Sequence, residues 1–276
     1  MKLLYYKVNP TGNITLIVET PVPRESQSAA AAALMAADKT AEQVGFIEQP
    51  SLPGSALRLQ MMGGEFCGNA ALSAGALARL LSLPETDGDS IRLEISGAAE
   101  PLEVEVFHES GRLYTGTVDM PLPRSCFTAL LTDGDREFQL PVVRFPGISH
   151  VIINSRSIEK YGFKVRNAEA RIESWCRQLG VEALGMMFWD EADGLLNPFV
   201  YVSGTNTAVW ESSCASGSTA VAVYSALSEG RSTELNLRQP GGVLTVAAEF
   251  SHGAVTGLKL TGTADITAKY SVTVAG

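Results

Sequence analysis

Gly63-Gly64-Glu65-Phe66-Cys67-Gly68-Asn69-Ala70-Ala71-Leu72-Ser73-Ala74-Gly75-Ala76-Leu77-Ala78-Arg79-Leu80-Leu81 decides how the chain is read. A cysteine stands between glycines, directly ahead of an Ala/Leu-rich run. Ala and Leu are the strongest helix formers, so a helix is expected from about Gly68, with Cys67 at its mouth. Unpaired N–H groups and the helix dipole favour negative charge there. A thiol in that setting ionises more readily than a free one. The arrangement returns in Trp210-Glu211-Ser212-Ser213-Cys214-Ala215-Ser216-Gly217-Ser218-Thr219-Ala220-Val221-Ala222-Val223-Tyr224-Ser225-Ala226-Leu227. Both runs are apolar nearly all round, as helices buried on every side are. A sheet curling around one central helix supplies that burial.

Outward from these two stretches, the chain is mostly strand. Residues 3–8, 14–19, 44–48 and 56–61 read as strands, and residues 25–38 as a helix. Period-two segments follow at 91–95, 102–106 and 113–118. Pro121-Leu122-Pro123-Arg124 is the best linker candidate. A second series has strands at 142–145, 150–153, 185–189 and 199–202 and a helix over 167–179. After Gln239-Pro240-Gly241-Gly242 the chain is strand to its end. Each half thus runs strands, a cysteine at a helix mouth, more strands. A repeat of that size points to duplication of a whole domain. The expected fold is α+β, with two pseudo-symmetric domains, each a curved sheet wrapped around a central helix. The expected boundaries are 1–122 for the first and 123–262 for the second; the resemblance carried by the two cysteine motifs to a known family implies that the tail, 263–276, returns to the first.

Composition bounds the function. The chain has 276 residues, 45% hydrophobic, enough for sizeable cores. A net charge of −9 argues against nucleic acid and anionic membranes as partners, both of which call for a basic footprint. No apolar run is long enough to span a bilayer. The N-terminal residues lack the apolar core of a signal peptide, so a cytoplasmic location is expected. The four cysteines (Cys67, Cys126, Cys176, Cys214) form no C-x-x-C pair, and the three histidines are scattered, so no metal site is expected. Cys126 and Cys176 lack any glycine context and read as core residues.

Two thiols at helix mouths suit acid–base chemistry at carbon. With the halves facing each other across a cleft, one sulfur removes a proton and the other returns one to the opposite face, inverting a stereocentre. The amides of Gly68, Asn69, Ala215 and Ser216 would hold the carboxylate and stabilise the enediolate that develops. A nucleophilic cysteine hydrolase requires a histidine base, for which neither cysteine has a local cue. Nucleotide binding is weak, because no phosphate-loop signature is present.

Cys67-Gly68-Asn69-Ala70 and Ser213-Cys214-Ala215-Ser216-Gly217 resemble the paired cysteine motifs of the diaminopimelate epimerase superfamily. That resemblance covers the whole chain. It implies a cofactor-independent racemase or epimerase acting on a small amino acid, and leaves a homodimer open. The chain departs from the true epimerases ahead of Cys214. They carry an arginine for the substrate's distal carboxylate there, whereas this chain has Val209-Trp210-Glu211-Ser212-Ser213. Asn9-Pro10-Thr11-Gly12-Asn13, Gln43-Val44-Gly45-Phe46-Ile47-Glu48, Gly64-Glu65-Phe66-Cys67, Trp210-Glu211-Ser212-Ser213-Cys214 and Gln239-Pro240-Gly241-Gly242 look more like the histidine racemases of staphylopine-type opine metallophore biosynthesis. The resemblance implies catalytic Cys67 and Cys214. It also implies substrate contacts from Asn13, Glu48, Gly68, Asn69, Glu211, Ala215 and Ser216. Glu48 and Glu211 could accept hydrogen bonds from an imidazole, which an arginine would repel. Diaminopimelate epimerisation, or a relative that binds or isomerises another small molecule, is the alternative.

Overall fold

The computed structural model describes residues 1–84, 86, 88–158, 168–204 and 206–273. Residue 167 of the expected helix and residues 274–276 of the expected tail lie outside the described residues. The chain forms two compact units, Met1–Asp119 with Leu260 onward, and Met120–Lys259.

The first unit opens with β1 (Lys2–Asn9), β2 (Thr15–Val18), α1 (Arg24–Ala37), β3 (Gln43–Glu48) and β4 (Leu57–Met61). Then come α2 (Gly68–Leu80), β5 (Ser90–Ile95), β6 (Leu102–Ser110) and β7 (Leu113–Asp119). Strands β1 to β7 are neighbours in chain order, and β7 is followed by β16 (Ala254–Thr273). Strand β16 also pairs antiparallel with β1, Lys2 opposite Thr273 and Asn9 opposite Asp265. Strand β16 thus joins β7 to β1 and closes the order of the eight strands.

Helix α2 packs against β2, β4, β5, β6 and β7, and every residue from Gly68 to Ala78 is buried. Burial on all sides explains the absence of a polar face. Buried hydroxyls need partners, and Ser73 finds one in the Asn69 carbonyl one turn back, at 2.9 Å. Gly75 is needed for close approach: a Cβ there would lie 2.9 Å from Val106 Cγ2 and 3.0 Å from Val104 Cγ1. Helix α1 covers a second apolar cluster that includes Leu3, Leu16, Leu34, Val44 and Phe46.

The second unit contains β8 (Ser125–Asp133), β9 (Arg136–Arg144), β10 (Ser149–Asn154), the short α3 (Ser155–Ile158), α4 (Ile172–Leu179) and β11 (Ala183–Asp190). It continues through β12 (Leu195–Val202), β13 (Thr207–Trp210), α5 (Ala215–Glu229), β14 (Thr233–Gln239) and β15 (Gly242–Ser251). The sheet order is β8-β9-β10-β11-β12-β14-β15-β16, with β13 paired to β12. Helix α5 packs on β9, β10, β11, β14 and β15. It ends at Gly230, whose φ of 66° is the left-handed conformation that glycine adopts without strain. Helix α4 seats Trp175, fully buried, in a cluster with Phe138, Phe188 and Phe199.

Sequence reading located both central helices and most strands. Strand β8 was missed because five of its nine residues are exposed and the Pro-rich run before it reads as linker. Strand β13 was missed because all four of its residues are exposed.

Replacing Gly75 by valine should destabilise the fold by roughly 1–3 kcal/mol, because the sheet under α2 has no room for the added carbons. The helix-propensity gain over glycine is smaller than that. An unchanged urea midpoint for Gly75→Val would show that the contact with Val104 and Val106 is looser than described.

Candidate active site

Cys67 and Cys214 occupy the same place on their respective helices. Cys67 is the N-cap of α2, with φ −133° and ψ 117°; Cys214 is the N-cap of α5, with φ −126° and ψ 108°. Both conformations are extended, as N-caps are. The first helical bonds match as well, Ala71 N–H to the Cys67 carbonyl at 3.0 Å and Ser218 N–H to the Cys214 carbonyl at 2.9 Å. Among the described residues, no side-chain hydrogen bond caps either helix. Each thiol thus stands beside first-turn N–H groups that have no acceptor within their own helix. All four cysteines are free thiols.

The loop before Cys67 is held by the turn after β5. Ser96 Oγ accepts from Met61 N–H at 2.9 Å and donates to the Glu65 carbonyl at 3.0 Å. Gly97, at φ 78°, lies so close that a Cβ would meet Phe66 N at 2.2 Å. The corresponding support for Cys214 comes from Gln239 at the end of β14. Its Oε1 accepts from Cys214 N–H at 2.8 Å, and its Nε2 donates to Ser218 Oγ at 2.9 Å. Ser218 in turn donates to the Cys214 carbonyl at 2.7 Å. Gly241 N–H donates to the Ser212 carbonyl at 2.7 Å, tying down the segment ahead of the cysteine. Ser96, Gly97 and Gln239 were assigned no role from the sequence. Only Gln239 left a trace there, in the Gln-Pro-Gly-Gly motif.

The environment of Cys214 is unlike that of a free thiol. Burial first, then the negative charge of Glu211 and the hydrogen bond the thiol gives it, push the Cys214 thiol well above its usual range. The Gly217 N–H and the Ser216 hydroxyl act in the opposite sense. Glu211 follows β13, and its N–H is anchored to the Pro198 carbonyl at 3.0 Å. Just before it, Trp210 stacks on Phe199, with centroids 4.6 Å apart, and its Nε1 donates to Glu169 at 3.1 Å. Ser216 Oγ lies 3.7 Å from Cys214 Sγ and 3.0 Å from Nε2 of His150. Among the expected site residues, Cys214, Glu211, Ala215 and Ser216 therefore stand together at the head of α5. Cys67, Gly68 and Asn69 stand together at the head of α2, where Gly68 and Asn69 are buried.

Asn13 and Glu48 are engaged inside the first unit. Asn13 Nδ2 donates to Glu42 at 2.6 Å, and its Oδ1 accepts from Gln43 Nε2 at 2.7 Å. Glu48 takes two hydrogen bonds from Arg24, at 3.0 and 2.7 Å, one from Gln27 at 3.0 Å, and an ion pair with Arg58 at 3.3 Å. The Arg24 guanidinium, despite the opposing effect of burial, holds the Glu48 carboxyl below its ordinary value. Glu48 thus ties α1 to β3 and β4. Among the described residues no cluster of His, Cys, Asp and Glu could hold a metal ion, and no helix is long and apolar enough to cross a membrane.

The family model of the histidine racemase CntK N-terminal domain matches residues 2–272. The chain belongs to the histidine racemase family. A histidine racemase of Fusobacterium nucleatum is 31% identical over 227 residues, covering 80% of each chain. One from Staphylococcus aureus is 26% identical over 251 residues, covering 90% of this chain and 89% of its own. Among solved structures, a PhzF-family phenazine biosynthesis protein of Bacillus anthracis aligns with a TM-score of 0.71 at 12% identity, covering 99% of this chain and 100% of its own. A probable proline racemase from Agrobacterium radiobacter aligns at 0.68 and 12%, covering 99% and 93%. These likenesses show a shared mixed α+β, sheet-dominated fold.

Two predictions come from this geometry. Gly97→Ala should lower stability by at least about 1 kcal/mol, because φ is positive and the new carbon meets backbone. The urea midpoint reads this, and an unshifted midpoint would mean that the Phe66 loop yields freely. Burial also depresses the His150 ring from 6.5 to about 3. The unfolded chain then binds a proton below pH 6.5 that the folded chain refuses. Stability from this group is complete above pH 6.5 and declines toward pH 3, at up to about 1.4 kcal/mol per pH unit. His150→Gln should flatten the stability profile in that window; an identical slope in the variant would assign it to other groups.

Proposed function

We propose that the protein interconverts L- and D-histidine by proton transfer at Cα, with Cys67 and Cys214 as the two acid–base groups, one for each face of the carbon. The observation that carries this reading is the matched setting of the two thiols. Each is an extended N-cap ahead of a buried helix, at the end where negative charge is favoured. Family membership supports the reaction class, and the names of the relatives support histidine as substrate.

Proton removal next to a carboxylate builds negative charge on its oxygens. The N–H groups of Gly68, Asn69, Ala215 and Ser216 are proposed to receive that carboxylate, and preorganised donors of this kind are worth about 10²–10³ in rate each. Acid and base groups add about 10²–10⁴ apiece. Burial and the charge of Glu211, which raise the Cys214 thiol, favour its protonated form in the substrate-free protein. Glu211, beside it, is proposed to accept from a cationic group of the substrate. Pairing there would cancel the charge that opposes ionisation of Cys214. Asn13 and Glu48 are proposed to act on the substrate side only through the strands they brace.

The same reading takes the fold as a duplication. Two pseudo-symmetric domains, 1–122 with the strand from 263 onward and 123–262, would each wrap a curved sheet around α2 or α5. The chemistry is written with no cofactor, since the two thiols supply both acid and base. A cytoplasmic setting would keep them reduced, and the D-histidine would enter an opine-type metallophore.

Cys67→Ser and Cys214→Ser should each reduce racemisation of L-histidine, followed by circular dichroism, by at least about 10²-fold. Full activity in either single variant overturns the two-base reading. In D₂O the D-histidine formed should carry deuterium at Cα; unlabelled product would exclude exchange through solvent-equilibrated thiols. A chiral assay across L-histidine, other L-amino acids and LL-diaminopimelate tests the substrate, with histidine expected to turn over fastest.

A further inference from the structure

His150 is fully buried on β10, opposite Gly185 on the parallel strand β11. The glycine makes room for the ring: a Cβ at 185 would lie 2.3 Å from His150 Nδ1. Phe145 packs edge-on at 6.2 Å. The two ring nitrogens have opposite fortunes. Nε2 reaches Ser216 Oγ at 3.0 Å, whereas Nδ1 has no hydrogen-bond partner among the described residues. Among the described residues no charged side chain is bonded to the ring, so none compensates a protonated imidazole there.

A neutral imidazole carries one N–H, and its tautomer follows from what each nitrogen meets. With hydrogen on Nδ1, a donor would be buried without an acceptor, the rarer and costlier defect. With hydrogen on Nε2, the ring donates to Ser216 Oγ and leaves only a bare lone pair facing Gly185. A hydroxyl that accepts from the ring must aim its own hydrogen elsewhere, and Cys214 Sγ stands 3.7 Å away, within reach for sulfur.

We propose that His150 is a positioning residue: locked as the neutral Nε2–H tautomer, it turns the Ser216 hydroxyl toward Cys214 and stabilises the thiolate form of that sulfur. The chain of donors runs His150 Nε2–H to Ser216 Oγ, then Ser216 O–H to Cys214 Sγ. No proton leaves the imidazole, so no ionised histidine is needed in the interior. The groups facing Cys214 are then two opposing sets. Burial and the Glu211 carboxylate oppose the thiolate; the Ser216 hydroxyl and the Gly217 N–H favour it. Gln239 is occupied with the Cys214 backbone N–H, and Met187 from β11 packs against Gly217 without charge. A racemase that runs both ways needs Cys214 as acid in one direction and base in the other. The His150–Ser216 pair keeps the second state within reach.

The inference rests on the proposed role of Cys214, yet its test does not depend on turnover. In a background carrying Cys67→Ser, Cys126→Ala and Cys176→Ala, the pH profile of iodoacetamide alkylation reads the ionisation of Cys214 alone. Ser216→Ala should move that profile upward by about one pH unit, the scale of one lost hydrogen bond to a thiolate. His150→Leu should move it the same way. His150→Gln, which keeps a side-chain N–H donor, should restore it. In the Ser216→Ala background, His150→Leu should add nothing. Nitrogen-15 spectra of the intact protein should show His150 as the Nε2–H tautomer from pH 5 to 8. An Nδ1–H tautomer, or a profile that stays in place in Ser216→Ala, overturns the proposal whether or not the protein racemises histidine. Should His150→Leu fail to fold, Ser216→Ala and the nitrogen-15 spectrum decide the matter on their own.

Discussion

A helix buried along its whole length can do chemistry only at its ends. Helices α2 and α5 approach that constraint by composition: Ala, Gly, Leu, Val and small hydroxyl residues dominate their buried turns, and Ser73 and Thr219 bond back into their own helix. What remains for chemistry is the first turn, with N–H groups that have no acceptor within their own helix and a positive dipole end. The sheets follow from the same constraint, because a helix without a polar face must be surrounded. So does the position of the cysteines. One residue earlier, the sulfur would leave the field of the helix; one later, it would join the packed interior.

The thiols are not left to the helix alone. Each sits on a loop pinned from a neighbouring strand, by Ser96 and Gly97 for Cys67 and by Gln239 for Cys214. The two supports use different chemistry, a hydroxyl with a close glycine against a primary amide. The environment around Cys214 is likewise particular to its half, with an acid on one side and a hydroxyl on the other.

Much of this was legible in the sequence. Alternating strands announced the sheets, and apolar runs behind Phe-Cys-Gly and Ser-Cys announced the helices and the thiols. What stayed hidden depends on contacts between distant segments. The histidines were set aside as scattered, because nothing local to His150 reveals that β10 carries it to Ser216. Glu48 was readable as an acid at a strand end, but its partners Arg24, Gln27 and Arg58 come from α1 and β4. Asn13 was readable as a turn residue, whereas its side-chain partners Glu42 and Gln43 lie about thirty residues away. The Ser-Gly pair after β5 carries no local signal at all.

Strand β16 has a consequence for how the molecule is made. Its last stretch completes the first unit, although the whole second unit is encoded before it. During synthesis, β1 and β7 must therefore wait for a partner while more than a hundred residues emerge. The second unit has its strands in hand earlier. Long-range pairing of this kind slows folding and leaves strand edges exposed meanwhile. The Cys67 half can therefore finish its sheet only after the residues of the second unit have been made.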